Sequence, residues 1–329
     1  MSSELVEVLE AGEVYQPAFM SRGAVAMPAF SGGLYGLFLK QLDVSPKTQE
    51  TYTRNLKQFF VWLNERGIAQ PTRDHVIAFR DEMKETRKPT TAQNYFAVVR
   101  VFFKWADAVG IYPDITRSVK GVKLETGPYR THKKDYLGEY QVERVLDLFD
   151  RNTLQGSRDF ALFALLVTCG LRTIEVIRAN VEDLQPGPEC PRIFVQGKGK
   201  LEKIPVNMHA KVDGYIRDYL AKRGKVEKTA PLFASISNKN QGGRMTTRSI
   251  SRIVKEAMRS AGYDSDRLTA HSLRHTAVTT ALLNGKSTKD VQGMARHAKA
   301  DTTDIYNHAI NQAANDCTRI NADVLLKRF

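Results

Sequence analysis

The sequence predicts a mainly α protein: a helical N-terminal domain, then an α+β domain whose β structure is one small β-sheet. Three observations predict it. Apolar residues recur at helical spacing through most of the 329 residues. Strand-like patterning is confined to one hairpin around Gly197-Lys198-Gly199-Lys200. A basic stretch broken by Gly and Pro, from Arg117 to Lys134, separates two helical groups. With 42% apolar residues, the chain is long enough for two cores.

Residues 1–30 lack clear periodicity, and Gly, Pro, Ser and Ala are frequent from Pro17 to Gly33. They read as a flexible arm or an early short helix. A helical domain is expected over 31–115. Ser45-Pro46 opens one helix, in which Tyr52, Leu56, Phe59, Phe60 and Leu63 share a face before Gly67 closes it. Thr72 caps a second, with Val76, Phe79 and Met83 aligned. A third runs from about Thr90 to Gly110, with Tyr95, Val98, Val99, Phe102, Phe103 and Ala106 inward. These aromatic stripes read as core rather than as platforms for stacked bases. Basic residues lie between them, and Arg54, Lys57, Arg100 and Lys104 are candidates for contacts to a phosphate backbone.

Residues 116–136 read as a flexible, basic joint between domains. From Arg117 to Lys134, Lys120, Lys123, Lys133 and Lys134 stand with two arginines against Glu125 alone. The second domain, 137–310, starts with helices near Gly138–Asp150 and Ser157–Thr168. Gly170-Leu171-Arg172 then bends the chain into a helix carrying Glu175. Ile193–Val195 and Lys203–Val206 flank the Gly-Lys-Gly-Lys turn as a hairpin. Helices are expected at Lys211–Lys222, Thr246–Ala261, Ser272–Asn284, Ser287–Ala295 and Asp301–Ile310. Residues 311–329 form an amphipathic tail helix, with Ala313, Ala314, Ile320, Val324 and Leu325 on one face.

A formal charge of +13 makes a polyanion the natural partner, nucleic acid first. Cys169, Cys190 and Cys317 form no CxxC pair and lack matching His spacing, so no zinc site, other metal or disulfide framework is expected. Glu4, Glu7, Glu10 and Glu13 stand where a secretory leader would be basic. The apolar run from Ala161 to Leu171 is too short for a bilayer. The expected location is the cytoplasm, on the nucleoid, with no membrane partner.

The residues richest in chemistry lie near the C-terminus. His271-Ser272-Leu273-Arg274-His275 is followed by His297 and then Tyr306. Imidazoles move protons near neutral pH, guanidinium grips phosphate in a fork, and a phenol can act as nucleophile. Together they point to covalent chemistry on a phosphodiester.

Thr168-Cys169-Gly170-Leu171-Arg172-Thr173-Ile174-Glu175, Gly197-Lys198-Gly199-Lys200, His271 to His275, Arg296-His297 and Thr302-Thr303-Asp304-Ile305-Tyr306 together resemble the tyrosine recombinase (phage integrase) family. The resemblance covers about 137–310, and more loosely the N-terminal helices, which are similar to the family's SAM-like core-binding domain. It implies roles. Arg172 and Arg274 would hold the non-bridging oxygens of the scissile phosphate and stabilise its transition state. Lys198 would protonate the departing 5′-oxygen, with Lys200 as a competitor for that task. His271 would accept the tyrosine proton or support the leaving group, and His297 would hydrogen-bond the phosphate. Tyr306 would be the nucleophile, giving a 3′-phosphotyrosine and a free 5′-hydroxyl without cofactor or metal. Glu175 would orient Arg172 or His271. His275 reads as structural.

The chain departs from the family where Arg296 replaces the usual Gly, and the side chain would add a phosphate contact or point outward. The expected enzyme is a site-specific recombinase of double-stranded DNA, acting as a homotetramer through the C-terminal tail, with an accessory or directionality protein as a further candidate partner. Integration or excision of a phage or other mobile element is the favoured role. Xer-type resolution of chromosome or plasmid dimers is the alternative, ahead of a type IB topoisomerase or an inactive DNA-binding protein.

Overall fold

A computed structural model describes residues 32–123, 135–197 and 199–296. The expected arm, Lys133, Lys134, Lys198, His297, Tyr306, the helix at 301–310 and the tail at 311–329 lie outside the described residues. The chain divides into two compact units, Met1–Thr126 and Gly127–Phe329.

Four helices build the first unit: α1 (Gly32–Gln41), α2 (Pro46–Glu65), α3 (Arg73–Thr86) and α4 (Pro89–Ala108). Their ends follow from local chemistry. Ser45 caps α2 by accepting from the Thr48 N–H, with Pro46 in the first turn, where no N–H is needed. His75 reaches back to accept from the Thr72 N–H at the start of α3. Gly67 and Gly110 follow α2 and α4 with φ of 63° and 71°. The core is aromatic. Phe59 packs edge-on against Phe79 and Phe103, and Phe38 against Phe102. Each such ring contributes about 1.5–3 kcal/mol by leaving water.

Helix α1 was not read, because Gly32, Gly33 and Gly36 give it poor helix propensity; burial of Leu34, Tyr35 and Phe38 holds it instead. Part of the expected joint, up to Val122, is held by the first unit. Arg100 donates to the Val119 carbonyl, Arg80 to that of Lys120 at 2.8 Å, and Gln93 accepts from the Val122 N–H at 3.0 Å. Val119 and Val122 are buried, so this stretch is tied onto α3 and α4.

The second unit is built on α5 (Glu139–Leu146), α6 (Leu154–Cys169), α7 (Thr173–Arg178), α8 (Ala210–Arg223), α9 (Thr247–Ser260), α10 (Ala270–Leu283) and α11 (Thr288–Ala295). Helix α6 is buried nearly all round, which explains its apolar run: it is the central post, packed against α8 and α10. The sheet has three antiparallel strands in the order β1 (Leu184–Gln185), β2 (Arg192–Gln196), β3 (Lys203–Asn207). Ile193 and Val195 of β2 face the core and pair with Val206 and Ile204. At two residues, β1 is too short to carry an alternation pattern. Among the described residues, no helix is long and apolar enough to cross a membrane.

Candidate active site

The centre of the second unit is a convergence of three chain segments: the turn after α6, the start of α10 and the end of α11. Gly170 ends α6 with φ 57°, a left-handed turn that favours Gly. A Cβ there would meet the Ala277 Cβ at 3.4 Å, an ordinary contact, so the backbone conformation rather than the space favours Gly. The turn buries Leu171 and delivers Arg172 to the N-terminus of α7.

One turn into α7, Glu175 is fully buried. Its carboxylate accepts from the Arg172 backbone N–H at 2.8 Å and pairs with the Arg172 guanidinium at 2.9 Å. A second guanidinium, that of Arg296, reaches the same carboxylate at 2.9 Å. Burial works to raise the Glu175 pKa. The Arg296 charge and hydrogen bonds from Arg172 and Arg296 outweigh it and hold the carboxyl below its ordinary range. Arg172 itself stays about one-third exposed, with 34% of its side chain open to solvent. It is thus braced on one side and open on the other.

Arg274 projects from α10 and is 2% exposed. It donates to the Gly170 carbonyl at 2.5 Å and to the Ala295 carbonyl, joining the end of α6 to the end of α11. His271, one turn earlier on α10, is exposed at the helix start. His275 is buried beneath it, with ring centroids 4.7 Å apart at 89°. Thr269 caps α10, and Thr276 accepts from the Leu137 N–H at 2.8 Å, fixing the helix to the start of the unit.

The hairpin turn is tethered to the same region. Arg178, in the last turn of α7, donates to the Gly197 carbonyl at 2.9 Å. Gln196 donates to the carbonyls of Lys200 and Leu201 at 2.9 and 3.1 Å. Lys200 is exposed, and Lys203 is paired with Asp183 at 2.7 Å.

In the first unit, Arg54 and Lys57 lie three residues apart on α2 and are exposed, as are Lys104, Lys120 and Lys123. Arg100 differs from them: it is half-buried, stacked on the Phe96 ring at 4.9 Å, and holds the Val119 carbonyl.

Residues 135–313 match the family model described as the phage integrase family, and residues 35–110 match the phage integrase N-terminal SAM-like domain. The chain belongs to the phage integrase, or tyrosine recombinase, family. Tyrosine recombinases cleave and rejoin DNA strands, and this one is 30% identical over 296 residues to the tyrosine recombinase slr0733 of Synechocystis sp., covering 85% of this chain and 92% of that protein. It is 26% identical over 289 residues to the tyrosine recombinase XerD of Lacticaseibacillus casei, covering 85% and 95%. Its fold is similar to that of the XerH site-specific recombinase bound to palindromic difH substrate in a post-cleavage complex, with a TM-score of 0.68 at 20% identity, covering 83% of this chain and 79% of that one.

Among the residues singled out in this recombinase's sequence, Arg172, Glu175, His271 and Arg274 are brought to one region. Arg296 was missed as a structural partner. The sequence left it a choice of touching phosphate or pointing outward; its side chain is 11% exposed and turned inward to Glu175. The signal was its place where the family has Gly, a position that needs a left-handed backbone. Arg296 has φ 53°.

Proposed function

We propose that this recombinase breaks and rejoins specific sites in double-stranded DNA through Tyr306. The braced but open Arg172 beside Arg274 is the observation that carries this reading. Two guanidiniums held by a carboxylate and by backbone carbonyls form a rigid cationic seat for one phosphodiester. Pre-organised cations help most where charge develops, and the pentavalent phosphorus of this reaction gains one negative charge over the diester.

In the proposed step the Tyr306 phenolic oxygen attacks phosphorus and its proton passes to His271. The bond to the 5′-oxygen breaks, and that oxygen takes a proton from Lys198. The 3′-phosphate stays on tyrosine as an ester. His297 donates to a non-bridging oxygen. Because one phosphoester replaces another, attack by a different 5′-hydroxyl reverses the chemistry on a new partner without an energy source. His275, buried under His271, has a structural role in this scheme, setting the plane of the catalytic ring.

Exchange between two duplexes cuts four strands, and one tyrosine serves each, so the active assembly is a tetramer on paired sites. The tail at 311–329 would link its protomers, and Arg54, Lys57, Lys104, Lys120 and Lys123 would contact backbone phosphates. The favoured role is integration or excision of a mobile element. Xer-type dimer resolution is the second reading, supported by likeness to XerD over 95% of that protein's length.

The test is incubation with a nicked duplex carrying the chain's own site, followed by a denaturing gel. A covalent adduct formed by wild type and absent from Tyr306→Phe supports the reading. Tight binding without an adduct would overturn it. Two such sites on one plasmid, in direct repeat, then separate the roles. Resolution to two circles without further protein favours the Xer reading, and strict dependence on two unlike sites favours integration.

A further inference from the structure

We infer that Arg296 is a positioning residue: by sharing the buried Glu175 carboxylate, it leaves the Arg172 guanidinium with its positive charge available for phosphate. The inference rests on the reading of Arg172 as a phosphate-binding residue.

Charge arithmetic motivates it. A lone Glu175 opposite Arg172 would form a neutral pair, and much of the attraction of Arg172 for an incoming phosphate would be cancelled close to the site. Arg296 adds a second cation on the other oxygen, so the three groups together carry a net charge of plus one. The Arg296 amino group lies 2.9 Å from Glu175 Oε2, and Arg172 takes Oε1 at 2.9 Å. Both oxygens of the carboxylate are therefore engaged, and it has no freedom to pull Arg172 into another orientation.

The backbone of Arg296 works to the same end. Its carbonyl accepts from the second amino group of Arg172 at 3.4 Å, while its own guanidinium donates to the carbonyls of Met294 at 2.7 Å and Gly170 at 3.3 Å. The residue adopts φ 53°, a conformation unfavourable for a long side chain. A strained backbone persists only where its surroundings over-determine it, and here five contacts do so. One of these is indirect, the grip of Arg274 on the preceding carbonyl of Ala295. Arg296 and the preceding Ala295 thus connect both arginines of the seat to the end of α11.

The experiment is single-turnover adduct formation at saturating DNA, with DNA affinity measured separately. Arg296→Gly, which suits the left-handed backbone, is expected to slow adduct formation by about tenfold to a hundredfold while changing Kd less than about threefold. Arg296→Lys restores most of the rate by returning the cation. In a Glu175→Gln background, Arg296→Gly causes no further slowing, because its route to Arg172 is gone. Should Arg296→Gly fail to fold, Arg296→Asn replaces it, being uncharged and tolerant of the same backbone. A wild-type rate for Arg296→Gly would overturn the inference, as would equal slowing in both backgrounds or a loss confined to Kd. Arg172→Ala in the same assay separates the two levels: if it cleaves at full rate, the underlying reading of Arg172 fails, whatever Arg296 does.

Discussion

The Arg274 guanidinium donates at 2.5 Å to the carbonyl of Gly170, a residue 104 positions earlier in the chain, while its other amino group holds Ala295. One buried fork thereby joins the ends of two helices, and a residue picked out for phosphate chemistry also fastens the fold. The two tasks are compatible because guanidinium has five N–H donors in a plane and backbone carbonyls occupy only part of them.

Arg274→Lys is therefore expected to fail on both counts. An ammonium on a flexible stem cannot span both carbonyls; that of Gly170 keeps its bond from Arg296 at 3.3 Å, but that of Ala295, left buried without its donor, costs about 1–3 kcal/mol. Urea unfolding should show a loss of at least about 1 kcal/mol, and adduct formation should fall below detection. A variant with wild-type stability would show that the bridge contributes little.

Glu175 gives the protein a pH-dependent component of stability with a defined sign. Its folded-state pKa is depressed, so its contribution is fully present above the unfolded-state value of about 4.3 and fades as pH falls through the lower folded value. Thermal melts of wild type and Glu175→Gln should differ clearly at pH 7, with the variant less stable, and converge as pH drops below 4. A gap that stays constant across this range would contradict the assignment.

The first unit's cations divide into two kinds. Replacing Arg54 and Lys57 together with Ala should weaken DNA binding across all sequences and reduce the slope of log K against log salt by about 2, one unit for each lost phosphate contact. Arg100→Ala should also lower the melting temperature, because this guanidinium stacks on Phe96 and holds the Val119 carbonyl. Filter binding at several salt concentrations, with melts alongside, distinguishes them.

The legibility of this chain in its sequence depended on the range of the interaction. Helices with strong caps and wide apolar stripes, such as the one opened by Ser45-Pro46, could be read because periodicity and capping are local. Helix α1 could not, since its glycines oppose the helix and distant aromatic packing decides it. The hairpin was visible from its turn, but the two-residue β1 had no pattern to show. Motif order brought Arg172, His271 and Arg274 forward as a group. It could not reveal that Glu175 is shared with Arg296, a contact across 121 residues that no spacing rule encodes. Nor could charge alone separate Arg100, folded onto the unit's own backbone, from Arg54 and Lys57 on the open face of α2.

Whether Tyr306 carries the broken strand can be read by trapping the adduct on a nicked duplex, digesting protein and DNA, and locating the attached nucleotide by mass spectrometry. The expected product is a 3′-nucleotide esterified to the peptide containing Tyr306, with a free 5′-hydroxyl on the released strand that polynucleotide kinase can label. Attachment at another residue, or a 5′-phosphate on the released end, would contradict it.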